Sequence, residues 1–238
     1  METPIQSTSA RSASSRNLLI IAVIIGVAVI AAGAAILLSN NAAAVTPTSY
    51  DGIARSRLPD GGFVLGNPDA PVTIVEFADY ACSHCIDYLS TVERFMDEYV
   101  KTGKAKFEYR TFPTAGRELT YFMGQIAVCL DNQREGAFWD AKDRFYQMAS
   151  TGRYDGNSGR VVAQELGLDY NQALACAQSQ KQVDTDIALG QRAGVTGTPA
   201  VMIRTSSGDL GWIEFGGQRW DRGGVPYEVL AAVIQASS

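Results

Sequence analysis

The stretch Val72–Cys85 reads VTIVEFADYACSHC, an apolar run that ends in two cysteines separated by Ser83 and His84. Val72, Ile74, Val75 and Phe77 are β-branched or aromatic, the composition of a buried strand, and from Ile86 the spacing turns helical. The cysteine pair therefore falls where a strand hands over to the first turn of a helix. Unpaired backbone N–H groups and the positive end of the helix dipole at such a turn favour a thiolate on Cys82. This is the setting of a redox pair, with Cys82 attacking and Cys85 resolving. His84 adds an imidazolium or N–H donor that favours the same charged sulfur.

C-terminal to the pair, Ile86, Leu89, Val92, Phe95 and Tyr99 recur at helical spacing as one apolar stripe, and Gly103 ends it. Residues 104–111 (KAKFEYRT) read as a second strand with Phe107 and Tyr109 on one face, stopped by Pro113. Strand, helix, strand is the start of a parallel α/β layer crossed by a helix. Helical patterns then fill 119–130, 138–148, 161–168 and 170–193. That block is too large for one crossover helix and reads as a helical insertion at about residues 115–193. It ends at Gly194-Val195-Thr196-Gly197-Thr198-Pro199, followed by a strand at 200–203, a turn at Asp209, a hairpin partner at 210–215 and a closing helix at 225–234.

N-terminal to the pair, a short strand at 63–65 opens the domain, which is expected to span 63–238. Residues 39–62 mix Ala, Thr, Pro and Gly without periodicity and read as a flexible tether. Residues 18–38 hold no charge; at 1.5 Å per residue they make about 30 Å of helix, the thickness of a bilayer core. Arg11 and Arg16 precede this run, so the expectation is a single-pass membrane anchor, a cytoplasmic tail at 1–17 and a catalytic domain on the extracytoplasmic side. A cleaved signal peptide, with small residues at 42–44 for a peptidase, is the competing reading; both export the domain.

The net charge of −5 and the lack of a long basic run exclude an obvious nucleic-acid partner. The single histidine lies inside the cysteine pair, so a histidine-rich metal site is excluded as well. No phosphate loop or dinucleotide fingerprint follows the first strand, and no cofactor is expected. Glu76 is an acid within the apolar strand, pointing either to solvent or inward; half-buried, it would have a raised pKa and pass a proton to or from Cys85. Pro199, between a glycine-rich loop and a strand, is a candidate cis proline. Packed opposite the pair, Thr198 would offer backbone groups to an extended substrate. Cys129 and Cys176 lie on different expected helices, either as two buried thiols or, in an exported domain, as a staple across the helical block. Trp139, Phe145, Trp212 and Trp220 read as core or rim residues.

Three features together, EFADYACSHC (76–85), GVTGTPA (194–200) and the helical block between them, resemble the DsbA-like branch of the thioredoxin superfamily. The resemblance implies a thioredoxin-like α/β fold with an inserted helical domain and a catalytic set of Cys82, Cys85, His84, Glu76, Thr198 and Pro199. Glu76 takes the place of the family's buried acid, and Pro199 that of its cis proline. Ser83 departs from the proline usual before the histidine in oxidising members. The Cys129 and Cys176 pair is similar to the extra structural disulfide of actinobacterial relatives. The implied partners are exported proteins with free thiols and a membrane quinone-linked reoxidase of the DsbB or vitamin K epoxide reductase type.

The leading expectation is an oxidase that donates the Cys82–Cys85 disulfide to exported proteins. A reductase or isomerase is the alternative within enzymes, separated by the redox potential of the pair. A peptide-binding module with a merely structural disulfide is the alternative outside them.

Overall fold

A computed structural model describes residues 50–205 and 208–237. Strand β1 (Arg55–Arg57), β2 (Phe63–Leu65) and β3 (Thr73–Ala78) lead to helix α1 (Ser83–Phe95), which runs on as a π-helical turn, Met96–Val100. Strand β4 (Lys106–Thr111) follows. Five helices come next: α2 (Arg117–Asp131), α3 (Ala137–Ser150), α4 (Ser158–Glu165), α5 (Tyr170–Ala177) and α6 (Gln182–Arg192). Strands β5 (Ala200–Arg204), β6 (Leu210–Phe215) and β7 (Gln218–Trp220) and helix α7 (Tyr227–Ala236) close the chain.

The strands form one sheet in the order β1-β2-β4-β3-β5-β6-β7, with the redox strand β3 in the middle. β3 and β4 are parallel, joined over α1 as expected, whereas β5 runs antiparallel to β3 with Phe77 opposite Ala200. That register brings the C-terminal end of β3, where the cysteine pair begins, beside the N-terminal end of β5, where Pro199 ends its loop. Both faces of β3 are buried. Ile74 and Ala78 point into the larger core with Cys85, Leu89 and Tyr109. Val75 and Phe77 point into a second core with Phe112, Val195 and Met202, against which Ile187 and Leu189 of α6 pack.

The helical block is anchored twice. A Cys129–Cys176 disulfide joins α2 to α5, with Cα atoms 5.9 Å apart. On β4, the fully buried Arg110 pairs with Glu108 at 2.7 Å, with Asp186 of α6 at 3.0 Å and with Asp60 at 2.9 Å. Removing Arg110 would leave Asp186 a buried carboxylate without its ion-pair partner, whereas Glu108 would keep Arg204 at 3.0 Å.

Several expectations are corrected. The structure gives no support to the expected membrane anchor or membrane localisation: no helix among the described residues is long and apolar enough to cross a membrane. The expected tail at 1–17 and span at 18–38 lie outside the described residues, as does the tether up to residue 49. The rest of the tether is structured, because Tyr50 and Ile53 are buried and β1 pairs with β2. The run at 170–193 is two helices, since Asp169 caps α5 through Asn171 and Gln172 and the chain breaks before Gln182.

Candidate active site

Cys82 is the residue that caps α1, in extended conformation, at the helix end where first-turn N–H groups have no partner within the helix; its side chain makes no capping hydrogen bond. Its amide donates to the Asp79 carbonyl at 3.1 Å, folding the link from strand to helix into a tight turn. Both Cys82 and Cys85 are free thiols. They are not equivalent: Cys82 retains 7% of its surface, Cys85 none. Burial, and then the charge of Glu76, pushes the Cys85 thiol far up. Cys85 therefore holds its proton, and Cys82 is the sulfur a substrate can reach.

The Thr198–Pro199 peptide is cis. Across 116 positions of chain, the Cys82 Sγ–H donates to the Thr198 carbonyl at 3.3 Å. The other end of Thr198, its hydroxyl, lies 2.6 Å from the Thr114 hydroxyl. Beside this junction opens a groove of about 590 Å³, walled by His84, Asp87, Tyr88, Thr198, Trp212 and Arg222. Tyr88 is held by a 2.8 Å hydrogen bond to the Val225 carbonyl. His84 is exposed on the groove wall.

Glu76 faces inward. It is 3% exposed and shares a sheet face with Tyr109, its register partner on β4. Burial pushes its carboxyl up to about 7, and the charge of Lys142 opposes that rise. Lys142, on α3, is itself buried, 2.6 Å from Asp143 and over the rings of Tyr109 and Tyr146. The sign of the Glu76 effect on stability follows from its ordinary value of 4.5. Between 4.5 and about 7 the folded state binds more proton than the unfolded chain, so stability falls as pH rises through that window. Glu76→Gln is therefore expected to stabilise the fold by about 3 kcal/mol at pH 8 and hardly at all at pH 4, the gap of 7 − 4.5 being worth about 1.4 kcal/mol per unit. Denaturant melts at the two pH values check this; equal gains at both would refute the buried, partly protonated Glu76.

Sequence reading missed Asp79, Thr114 and Lys142. Asp79 stands within the quoted stretch, at the turn position where a short acid binds nearby backbone. Lys142 is an ordinary position of a helical pattern, and only the packed fold reveals its burial. Among the described residues no group of three histidine, cysteine or acidic side chains is placed to hold a metal ion.

A reachable sulfur at a helix start, a proton-holding sulfur behind it and a carbonyl across from both make a site for exchanging disulfides with thiols. The protein is a thiol-disulfide oxidoreductase, an enzyme acting through Cys82–Cys85. The chain belongs to the thioredoxin family, whose model it matches over residues 59–209. It is similar to the probable disulfide bond formation protein D of Bacillus cereus, 35% identical over 154 residues that cover 58% of this chain and 68% of the relative. Among solved structures it resembles a thioredoxin-like oxidoreductase from Silicibacter pomeroyi, with a TM-score of 0.60 and 25% identity over 75% of this chain and 92% of that one. It shares its fold with alpha-DsbA1 of Wolbachia pipientis, at a TM-score of 0.61 and 20% identity over 76% of this chain and 92% of that one.

Proposed function

We propose that the enzyme works as an oxidase, passing the Cys82–Cys85 disulfide to thiol-bearing exported proteins. A substrate thiolate attacks Cys82 Sγ, the Cys82–Cys85 bond breaks, and Cys85 leaves as a thiolate. Its high proton affinity draws a proton from the Glu76 carboxyl, which is about half protonated at neutral pH. A second substrate thiolate then attacks the substrate sulfur of the mixed disulfide and expels Cys82. The substrate loses two electrons and two protons, and the enzyme is left as the dithiol. A membrane quinone-linked reductase of the DsbB or vitamin K epoxide reductase type would restore the disulfide.

The observation that carries the direction is the second disulfide. A chain that joins Cys129 to Cys176 works where disulfides persist, and there the Cys82–Cys85 pair is refilled by oxidants. The groove beside Thr198 supports an extended protein substrate. Once Cys82 carries no Sγ–H, the Thr198 carbonyl is free to accept a backbone N–H from such a segment.

Equilibration against glutathione, with Cys82 trapped by alkylation, tests the reading. The expected potential lies nearer about −120 mV, that of a strong oxidant, than the about −270 mV of thioredoxin. A value near the latter would reverse the assignment to a reductase.

A further inference from the structure

The contact between Cys82 and Thr198 depends on where the loop before β5 is held, and between the buried Val195 and Pro199 that loop has little packing of its own. Thr196 and Gly197 are exposed, and a Cβ built on Gly197 would meet nothing within 4 Å. The Thr198 hydroxyl is met from outside its loop by Thr114, in the connection between β4 and α2. Thr114 is held in turn by the fully buried carboxylate of Asp79. One oxygen, Oδ2, accepts from the Thr114 amide at 2.6 Å, the Gly116 amide at 2.9 Å and the Thr114 hydroxyl at 3.4 Å. The other, Oδ1, accepts from the Ala81 amide at 2.8 Å and the Thr120 hydroxyl at 2.6 Å. Gly116 is what lets the loop come this close: a Cβ there would stand 2.1 Å from Thr120 Oγ1 and 3.0 Å from Asp79 Oδ1.

We propose that Thr114, clamped by Asp79, is a positioning residue that sets Thr198 against Cys82 and so tunes both the redox equilibrium and substrate binding at the cysteine pair. The Thr114 hydroxyl lies 2.6 Å from Thr198 Oγ1, where either oxygen can donate, and the Thr114 amide donates to Asp79 Oδ2, which can only accept. This fixes the Thr198 side chain, and with it the direction of the carbonyl that meets Cys82. The clamp closes a ring, Asp79 to Thr114 to Thr198 to Cys82 and back through the Cys82 amide to the Asp79 carbonyl. Three segments distant in sequence thereby share one small polar network, and it includes the reacting sulfur. The proposal rests on exchange at Cys82 and is indifferent to whether the enzyme oxidises or reduces.

Thr114→Val keeps the shape and removes the hydroxyl; Thr114→Ser keeps the hydroxyl and removes the methyl. In the full chain, Thr114→Val is expected to shift the equilibrium constant with glutathione by about three- to tenfold, the worth of one hydrogen bond at the site. It is also expected to raise KM for a reduced, unfolded protein substrate severalfold, and Thr114→Ser restores both values. In a Thr198→Val background, Thr114→Val should shift neither quantity further, since the shared contact is already gone. A Thr114→Val enzyme with an unchanged equilibrium constant and KM overturns the proposal, even if its melting temperature falls. Equal shifts in the Val and Ser variants also overturn it, because they would assign the effect to packing of the methyl group. The failure of the oxidase reading would appear separately, in the wild-type potential.

Discussion

Cys82→Ser is expected to bring disulfide exchange down to the rate of thiols in free solution, whereas Cys85→Ser leaves an enzyme that reacts once and stops. The two substitutions differ because the two sulfurs sit differently. Cys82 is the cap of α1 at the edge of the groove, with part of its surface open. Cys85 is one turn deeper, has no exposed surface and holds its proton tightly. A protein substrate can meet only the first, and a serine hydroxyl there can neither attack a disulfide nor leave from one at neutral pH. With Cys82 intact and Cys85 replaced, a mixed disulfide forms on Cys82 and persists. The intramolecular thiol that would release it, at an effective concentration far above any solution thiol, is missing. Mass analysis of each variant after exposure to glutathione disulfide reads the result. A stable adduct on Cys85 of the Cys82→Ser enzyme would remove the division of roles.

The second large effect concerns stability. Replacing Cys129 and Cys176 together by alanine is expected to cost about 4 kcal/mol, the chain-entropy value for releasing a 47-residue loop. For a domain of this size that lowers Tm by about 10 °C. The bridge ties α2, a helix with a largely buried face, to α5, of which only Ala173 is fully covered. Without it α5 keeps its Asp169 cap and the Gln133 contacts to the Asp169 backbone but little apolar anchorage. Calorimetry of the paired variant tests this, and exchange by Cys82–Cys85 in the folded fraction should continue. An unchanged Tm would mean that α5 is held by packing alone.

Much of this fold was legible because its signals are local. The strand at 72–78, the helix after Cys82 and the strand near Phe107 fall within a residue or two of their expected limits, since periodicity and helix starts are set by neighbours in sequence. β1 and β7 were not seen. Each has three residues, RSR and QRW, too few for an alternating pattern, and each is an edge strand that exists by pairing with its neighbour. The break between α5 and α6 was hidden by helical spacing that continues through it.

The site divides in the same way. The chain order by itself determined that a cysteine pair opens a helix after a buried strand, and that a Thr-Pro precedes another strand far downstream. Those features need nothing beyond local backbone preference and hydrophobic spacing. Which way Glu76 points was open until α1 covered the face it shares with Ile74 and Ala78. That Lys142 stands near it depends on α3 packing back onto the sheet. The meeting of Cys82, Thr198, Thr114 and Asp79 depends on the antiparallel register of β3 and β5, which joins positions more than a hundred residues apart. Long-range register is a property of the whole packed sheet, and no local stretch of the chain encodes it.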